Sequence, residues 1–239
     1  MNDVIAIIPA RSGSKSVSDK NVKLLSGHPL IAYSIAAAKL SKSINRVIVS
    51  TNSQDYANIA RSYGAEAPFI RPEEHSTDTS TDRGWVIHAM DWLKKNESKV
   101  PDYWVHLRPT TPLRDFKIID RAVDLMKNNS KYTSLRSAHK SPESPFKWFL
   151  KKEDYFKGIL NDNDHYSPKE GFETVYIPNG YVDILKASYV MNNPEIYGNS
   201  MFGFVSPMVS EVDSIDEFDY IQYQMSREKS DLESYLNSI

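Results

Sequence analysis

Apolar and polar positions fall into alternating blocks along most of the chain. Residues 4–9 (VIAIIP) form a short continuous apolar run, the pattern of a strand buried on both faces. Residues 29–40 carry Leu30, Ile31, Ile35 and Ala38 at helical spacing, with Pro29 suited to a first turn. The pattern then predicts a strand over 46–50, a helix over 53–63 ended by Gly64, and a short third strand over 65–70. A longer helix is expected over 79–95, with Val86, Ala89, Met90 and Leu93 on one stripe. Residues 103–107 (YWVHL) read as a fourth strand, 116–128 as a helix with Ile119, Ala122, Val123 and Met126 inward, and 133–136 as the start of a fifth strand. Strands alternating with helices predict an α/β fold with parallel pairing and right-handed crossovers. In such sheets ligands bind in the loops at the carboxyl ends of the strands, where the polar clusters of this chain sit.

The rhythm changes over 139–176, which is polar and aromatic, holds Pro142, Pro145 and Pro168, and shows no clean helix. It reads as an insertion, a hairpin (146–150, then 155–160) followed by a long loop, set into a core of 1–138 and 177–239. Strand character returns at 182–185 and 202–205, and a helix over 215–225 closes the chain.

The 239 residues suit one core with a modest insertion. Hydrophobic residues make up 40% and charged residues 25%, the balance of a globular protein. Lys and Arg total 29 against 31 Asp and Glu, which argues against nucleic-acid binding through bulk positive charge. No cysteine is present, so disulfides, thiolate metal sites and a cysteine nucleophile are excluded. There is no apolar run of about 18 residues, and Asp3 with a short apolar stretch does not make a signal peptide. No membrane association and a cytoplasmic location are the expectations.

The loop after the first strand, PARSGSKSVSDKN (9–21), holds Arg11, Lys15 and Lys20 among four serines and Gly13. Backbone N–H groups and cations in such a loop can wrap a triphosphate. The spacings of a P-loop and of a dinucleotide fingerprint are both absent, and a solvated basic loop is the alternative. Here the chain resembles the CMP-sialic acid synthetases (acylneuraminate cytidylyltransferases), whose pattern is Ala-Arg-x-x-Ser-Lys-Gly-x-Pro-x-Lys-Asn. Arg11, Lys15, Lys20 and Asn21 match it, while Ser16 replaces the glycine and Ser18 the proline. The resemblance implies that the loop holds the phosphates of CTP and that Asn21 contacts the cytidine end.

Four further segments match in order. Arg71-Pro72 with STDTSTD (76–82) resembles a family segment whose arginine and helix start read the cytosine, which implicates Arg71, Ser80 and Asp82. Helix capping by Thr77, Asp78 or Thr79 explains the same polar residues. LRPTTPLRD (107–115) resembles Leu-Gln-Pro-Thr-Ser-Pro-Leu-Arg, with Arg108 in place of a glutamine that faces the sugar and Thr110 beside it. That exchange implies a sugar acid other than ordinary N-acetylneuraminate. Arg114 and Asp115 read as a surface helix start. Lys147 resembles a family lysine near the sugar, Lys169 stands where an arginine holds the sugar carboxylate, and Tyr176-Ile177-Pro178-Asn179-Gly180 corresponds to Phe-Arg-Pro-Asn-Gly. Solvated lysines and a generic Asn-Gly turn are the alternatives.

SEVDSIDEFDY (210–220) concentrates acids. On a strand, Glu211 and Asp213 would share one face, and two hard carboxylates suit Mg²⁺. The family's Asp-Ile-Asp aligns with Glu211-Val212-Asp213, which implies that these two residues are its ligands. Capping of the last helix by Asp213 or Ser214 accounts for Asp216 and Glu217, but not for Glu211.

The resemblance implies a three-layer, mostly parallel Rossmann-like nucleotidyltransferase fold with a small inserted dimerisation arm. Its activity would be CMP transfer from CTP to the anomeric 2-hydroxyl of a nine-carbon nonulosonic acid, releasing pyrophosphate, in a homodimer. Arg11, Lys15, Lys20 and Asp213 would carry the chemistry. No histidine stands where a general base is demanded, so His75, His88 and His106 are expected to be structural or on the surface. A nucleotide-sugar glycosyltransferase would need an Asp-x-Asp-like motif, which Arg108-Pro109-Thr110 does not supply. A non-catalytic nucleotide-binding relative draws its support from Ser16 and Ile177.

Overall fold

The run 4–9 does form a strand, and its neighbours in the sheet explain why it is apolar on both faces. The computed structural model describes residues 3–159, 165–227 and 229–239. Its elements are β1 (Val4–Pro9), β2 (Leu24–Leu25), β3 (His28–Pro29), α1 (Leu30–Leu40), β4 (Arg46–Ser50), α2 (Gln54–Ser62), α3 (Asp82–Glu97), β5 (Tyr103–His106), α4 (Phe116–Asn128), β6 (Ser134–Lys140), β7 (Phe149–Lys152), β8 (Tyr155–Gly158), β9 (Tyr176–Lys186), α5 (Ala187–Asn192), β10 (Met201–Val205), α6 (Ile215–Arg227) and α7 (Asp231–Leu236). A six-stranded sheet runs β10-β6-β9-β5-β1-β4. The β1–β4, β1–β5 and β6–β10 pairs are parallel, and β9 alone runs against both its neighbours.

Helices cover both faces. One face packs Val4, Ala6 and Ile8 against α1, α4, α6 and α7. The other packs Ile5, Ile7 and Trp104 against Trp85, Met90 and Leu93 of α3 and Val190 of α5. Alternate residues of β1 therefore serve opposite layers, as the pleat requires. Helix α1 is buried from Leu30 through Ala38, and its alanines allow close approach on every side. The order of strands reverses direction between β1 and β5. That switch point opens a crevice at their carboxyl ends.

Several expectations need correction. Residues 65–70 make only one bridge, Ile48 with Glu66. Pro68 has no N–H for a ladder, so pairing stops there. Helix α3 starts at Asp82 rather than 79, because residues 74–80 are held in a turn by the Ser80 hydroxyl. Pro29 pairs with Leu24 in a small ribbon and precedes α1 instead of lying in its first turn. The first arm strand begins at Phe149, since Pro145 opens a single 3-10 turn over Pro145–Lys147. Leu160, the expected end of the second arm strand, lies outside the described residues. Helix α6 is not the last; α7 follows, started by a reciprocal Ser230–Glu233 capping box. Segment 211–213 is not a strand, although Val212 N–H bonds the Thr110 carbonyl at 2.8 Å. No helix among the described residues is long and apolar enough to cross a membrane.

Candidate active site

The crevice at the β1/β5 switch is a cavity of about 440 Å³. The loop after β1 forms one wall, with Arg11, Lys15, Lys20 and Asn21. The segment before α3 forms another, with Arg71, Ser80 and Asp82. Arg108 and Thr110, after β5, form the third. Nine of the residues singled out in the sequence thus line one space.

Each wall is fixed by short-range bonds. The Asn21 amide donates to the Arg11 carbonyl at 2.9 Å, which closes the base of the loop. Val17 is buried and anchors the loop's middle. Ser16 is not among the residues with positive φ, so its Cβ adds no backbone strain. Arg71 is buried, donates through Nε to Ser76 Oγ at 3.1 Å, and leaves Nη2 buried without a partner. Burial, and then the nearby Arg11, lower its pKa to about 10. A buried guanidinium nitrogen without a partner is costly, and a ligand carbonyl would satisfy it. Ser80 spends its hydroxyl on the Thr77 and Glu74 backbone, so any contact it makes comes from its main chain.

Arg108 does not stand free. Its Nη2 donates to Asp82 Oδ2 at 2.6 Å, and Asp82 Oδ1 accepts from Trp85 Nε1 at 3.2 Å. Beneath them His106 is fully buried and meets Trp85 edge to face at 4.9 Å. Burial and Arg108 push its pKa down to about 3, so the ring is neutral. His75 lines the cavity wall, whereas His88 is half-buried behind it.

The acidic pair does not line the cavity but stands beside it, joined to its wall through Lys20. Lys20 Nζ donates to the Val212 carbonyl at 2.8 Å and lies 3.4 Å from Asp213 Oδ1. Gly180, at φ +57°, brings backbone against Arg108 and Glu211; a Cβ there would lie 3.1 Å from Arg108 Cδ and 3.7 Å from Glu211 Oε1. Burial and the neighbouring Asp213 push the Glu211 carboxyl up to about 7. Glu217 caps α6 by accepting from the N–H groups of Asp213 and Ser214. That leaves the carboxylates of Glu211 and Asp213 free of the cap. Two neighbouring hard carboxylates are a donor set that would suit magnesium, with phosphate oxygens or water needed to complete its shell.

Three predicted residues lie elsewhere. Lys147 sits on the 3-10 turn of the arm and does not line the cavity. Lys169 lines a separate hollow of about 320 Å³ with Glu143 and Ser144. Asn179 is buried and donates to Ser206 Oγ and the Pro207 carbonyl while its Oδ1 accepts from Tyr181 N–H, so its side chain ties β9 to the segment after β10. Two important residues were not legible. Asp78 binds both Arg11 and Lys15, though its segment read only as a cap. Arg114 is buried, not on the surface, and donates to four groups under the cavity floor: Tyr181 O, Ser34 Oγ, Arg108 O and Gly180 O.

A sequence profile described as "Cytidylyltransferase" matches residues 5–153. The chain belongs to the cytidylyltransferase family. Among its relatives is an N-acylneuraminate cytidylyltransferase of Escherichia coli, 34% identical over 96% of this chain and 54% of the relative. Another is a CMP-N,N'-diacetyllegionaminic acid synthase of Legionella pneumophila, 34% identical over 89% of this chain and 90% of that one. The chain therefore spans about half the length of the first relative and nearly all of the second. The fold matches that of a CMP:2-keto-3-deoxy-manno-octonic acid synthetase complexed with CTP, at a TM-score of 0.71 and 14% identity, covering 94% of this chain and 99% of the other. The expected family and the expected fold, a three-layer mostly parallel sheet, are both borne out.

Proposed function

We propose that the cavity binds CTP and a nine-carbon nonulosonic acid, and that CMP passes to the sugar's anomeric 2-hydroxyl with release of pyrophosphate. The observation that carries this reading is the convergence of loop 9–21 with Glu211 and Asp213, sealed by the Lys20–Val212 bond. Arg11, Lys15 and Lys20 offset the triphosphate charge and hold its α-phosphorus for in-line attack by the hydroxyl oxygen. The bond to the β-phosphate oxygen breaks as the new P–O bond forms, and the hydroxyl proton leaves to solvent. Arg71 Nη2 supplies a donor to the base. Arg108, braced by Asp82, presents its remaining N–H groups to the sugar. Glu211 and Asp213 are the residues that would hold magnesium, and when bound this ion supplies charge neutralisation at the phosphates. Ser16's ordinary backbone removes one support for a non-catalytic relative. A cytoplasmic location belongs to the same reading, because nucleoside triphosphates are made and spent there.

Pyrophosphate release from CTP, assayed with a panel of nine-carbon sugar acids, tests the proposal; release with none of them under magnesium sinks it. Chelation by EDTA should abolish release. Glu211 holds its proton below about pH 7 in the folded chain, and metal must displace that proton. The half-saturating magnesium concentration should therefore be about tenfold higher at pH 6 than at pH 8. Equal values at both pH values would remove Glu211 from the ligand set.

We also infer a homodimer. Trp148, Phe149, Tyr155 and Phe156 of the arm are 44–67% exposed, a concentration of aromatic surface that a partner copy would cover. Sedimentation should give twice the chain mass, and a fully active monomer would overturn the inference.

A further inference from the structure

Two of the three cations of loop 9–21, Arg11 and Lys15, already share one carboxylate, which offsets one of their two charges. Arg11 Nη2 lies 2.6 Å from Asp78 Oδ1, and Lys15 Nζ lies 2.6 Å from Asp78 Oδ2. Each carboxylate oxygen takes one cation, much as two oxygens of a phosphate chain would. Asp78 itself is held in place. Its turn is closed by the Thr77–Ser80 hydroxyl contact at 2.7 Å and by Ser80 Oγ donating to the Glu74 carbonyl at 2.9 Å. Lys15, by contrast, has a side chain 83% exposed, so it can leave at little cost. The arrangement is an anion on a closed turn facing one partly covered arginine and one exposed lysine at the cavity's edge.

We propose that Asp78 is an internal stand-in for phosphate, which holds Arg11 and Lys15 together until the triphosphate displaces it. This rests on reading the cavity as a nucleoside triphosphate site. Arg11 and Arg71 lie close enough to repel, and a local carboxylate offsets that repulsion until substrate arrives. Displacement demands an anion that reaches both cations, so the pair discriminates against short anions. After transfer, Asp78 recaptures Arg11 and Lys15 and so favours departure of pyrophosphate. Asp78 acts through those two cations and is a positioning residue.

The test is calorimetric titration of the full chain with CTP and, separately, with inorganic pyrophosphate, both with magnesium. Asp78→Asn should bind both about 3- to 10-fold more tightly than the parent, the range open to two exposed ion pairs. It should also raise pyrophosphate inhibition to match. A gain in affinity cannot come from misfolding. In an R11Q/K15M background the same substitution should give no gain. Unchanged or weaker binding by Asp78→Asn, or a gain that survives loss of both cations, overturns the proposal. If the parent binds neither ligand, the nucleotide reading of the cavity fails instead, and this proposal with it.

Discussion

Lys20→Met should lower kcat/KM for CTP by about 10²–10³, the usual cost of removing one preorganised charge from a site where transition-state charge develops. Lys20 is distinguished from its neighbours by burial. Its side chain is 11% exposed, against 83% for Lys15, and its ammonium lies between the basic loop and the acidic pair. Fixed between the Val212 carbonyl and Asp213, it cannot be replaced by another side chain swinging in from the surface. An arginine would not rescue it, because a planar fork does not fit a contact made for one compact ammonium. Stability should fall by only about 1 kcal/mol, since Asp213 is 71% exposed and one hydrogen bond to the Val212 carbonyl is lost. Steady-state kinetics alongside urea unfolding separates the two effects. Activity within threefold of the parent would take Lys20 off the phosphate path.

Arg114→Met should cost about 3–5 kcal/mol of folding stability, because the Tyr181 and Gly180 carbonyls and the Ser34 hydroxyl lose a buried charged donor together, while the Arg108 carbonyl keeps only Ser34 Oγ and Thr111 N–H. The methionine keeps the apolar stem, so the loss reports the hydrogen bonds rather than a cavity. The Arg108 carbonyl and Gly180 carbonyl are both partners, so the sugar-side wall should loosen as well. Urea unfolding measures the first effect and KM for the sugar acid the second. A loss under about 1 kcal/mol would show that Arg114 is not the post under the cavity floor.

Elements whose neighbours demand one pattern were legible. Strands β1 and β4 and helix α4 fall on the predicted residues, because runs such as VIAIIP and the Ile119–Met126 stripe have no competing use. The third strand failed on Pro68, and α3 started late because Ser80 closes a turn. Both are local chemistry that overrode period. The β2–β3 ribbon and α5 are too short to carry a period at all. Charge and order along the chain, together with the family resemblance, singled out the cationic loop that lines the cavity and the acidic pair that stands beside it. Arg114 and Asp78 were not legible, since a buried arginine and a surface one look alike until the carbonyls around them are placed. The irregular stretch at 211–213 shows the same limit: its acids were found, but not the backbone bond that brings them to Thr110.

The Lys20–Val212 contact joins positions 192 residues apart. During synthesis the basic loop emerges early and its acidic counterpart near the end. The growing polypeptide thus carries the two sides of the proposed site in two instalments, and a ribosome that stops before Val212 releases a chain in which Lys20 never meets its carbonyl partner.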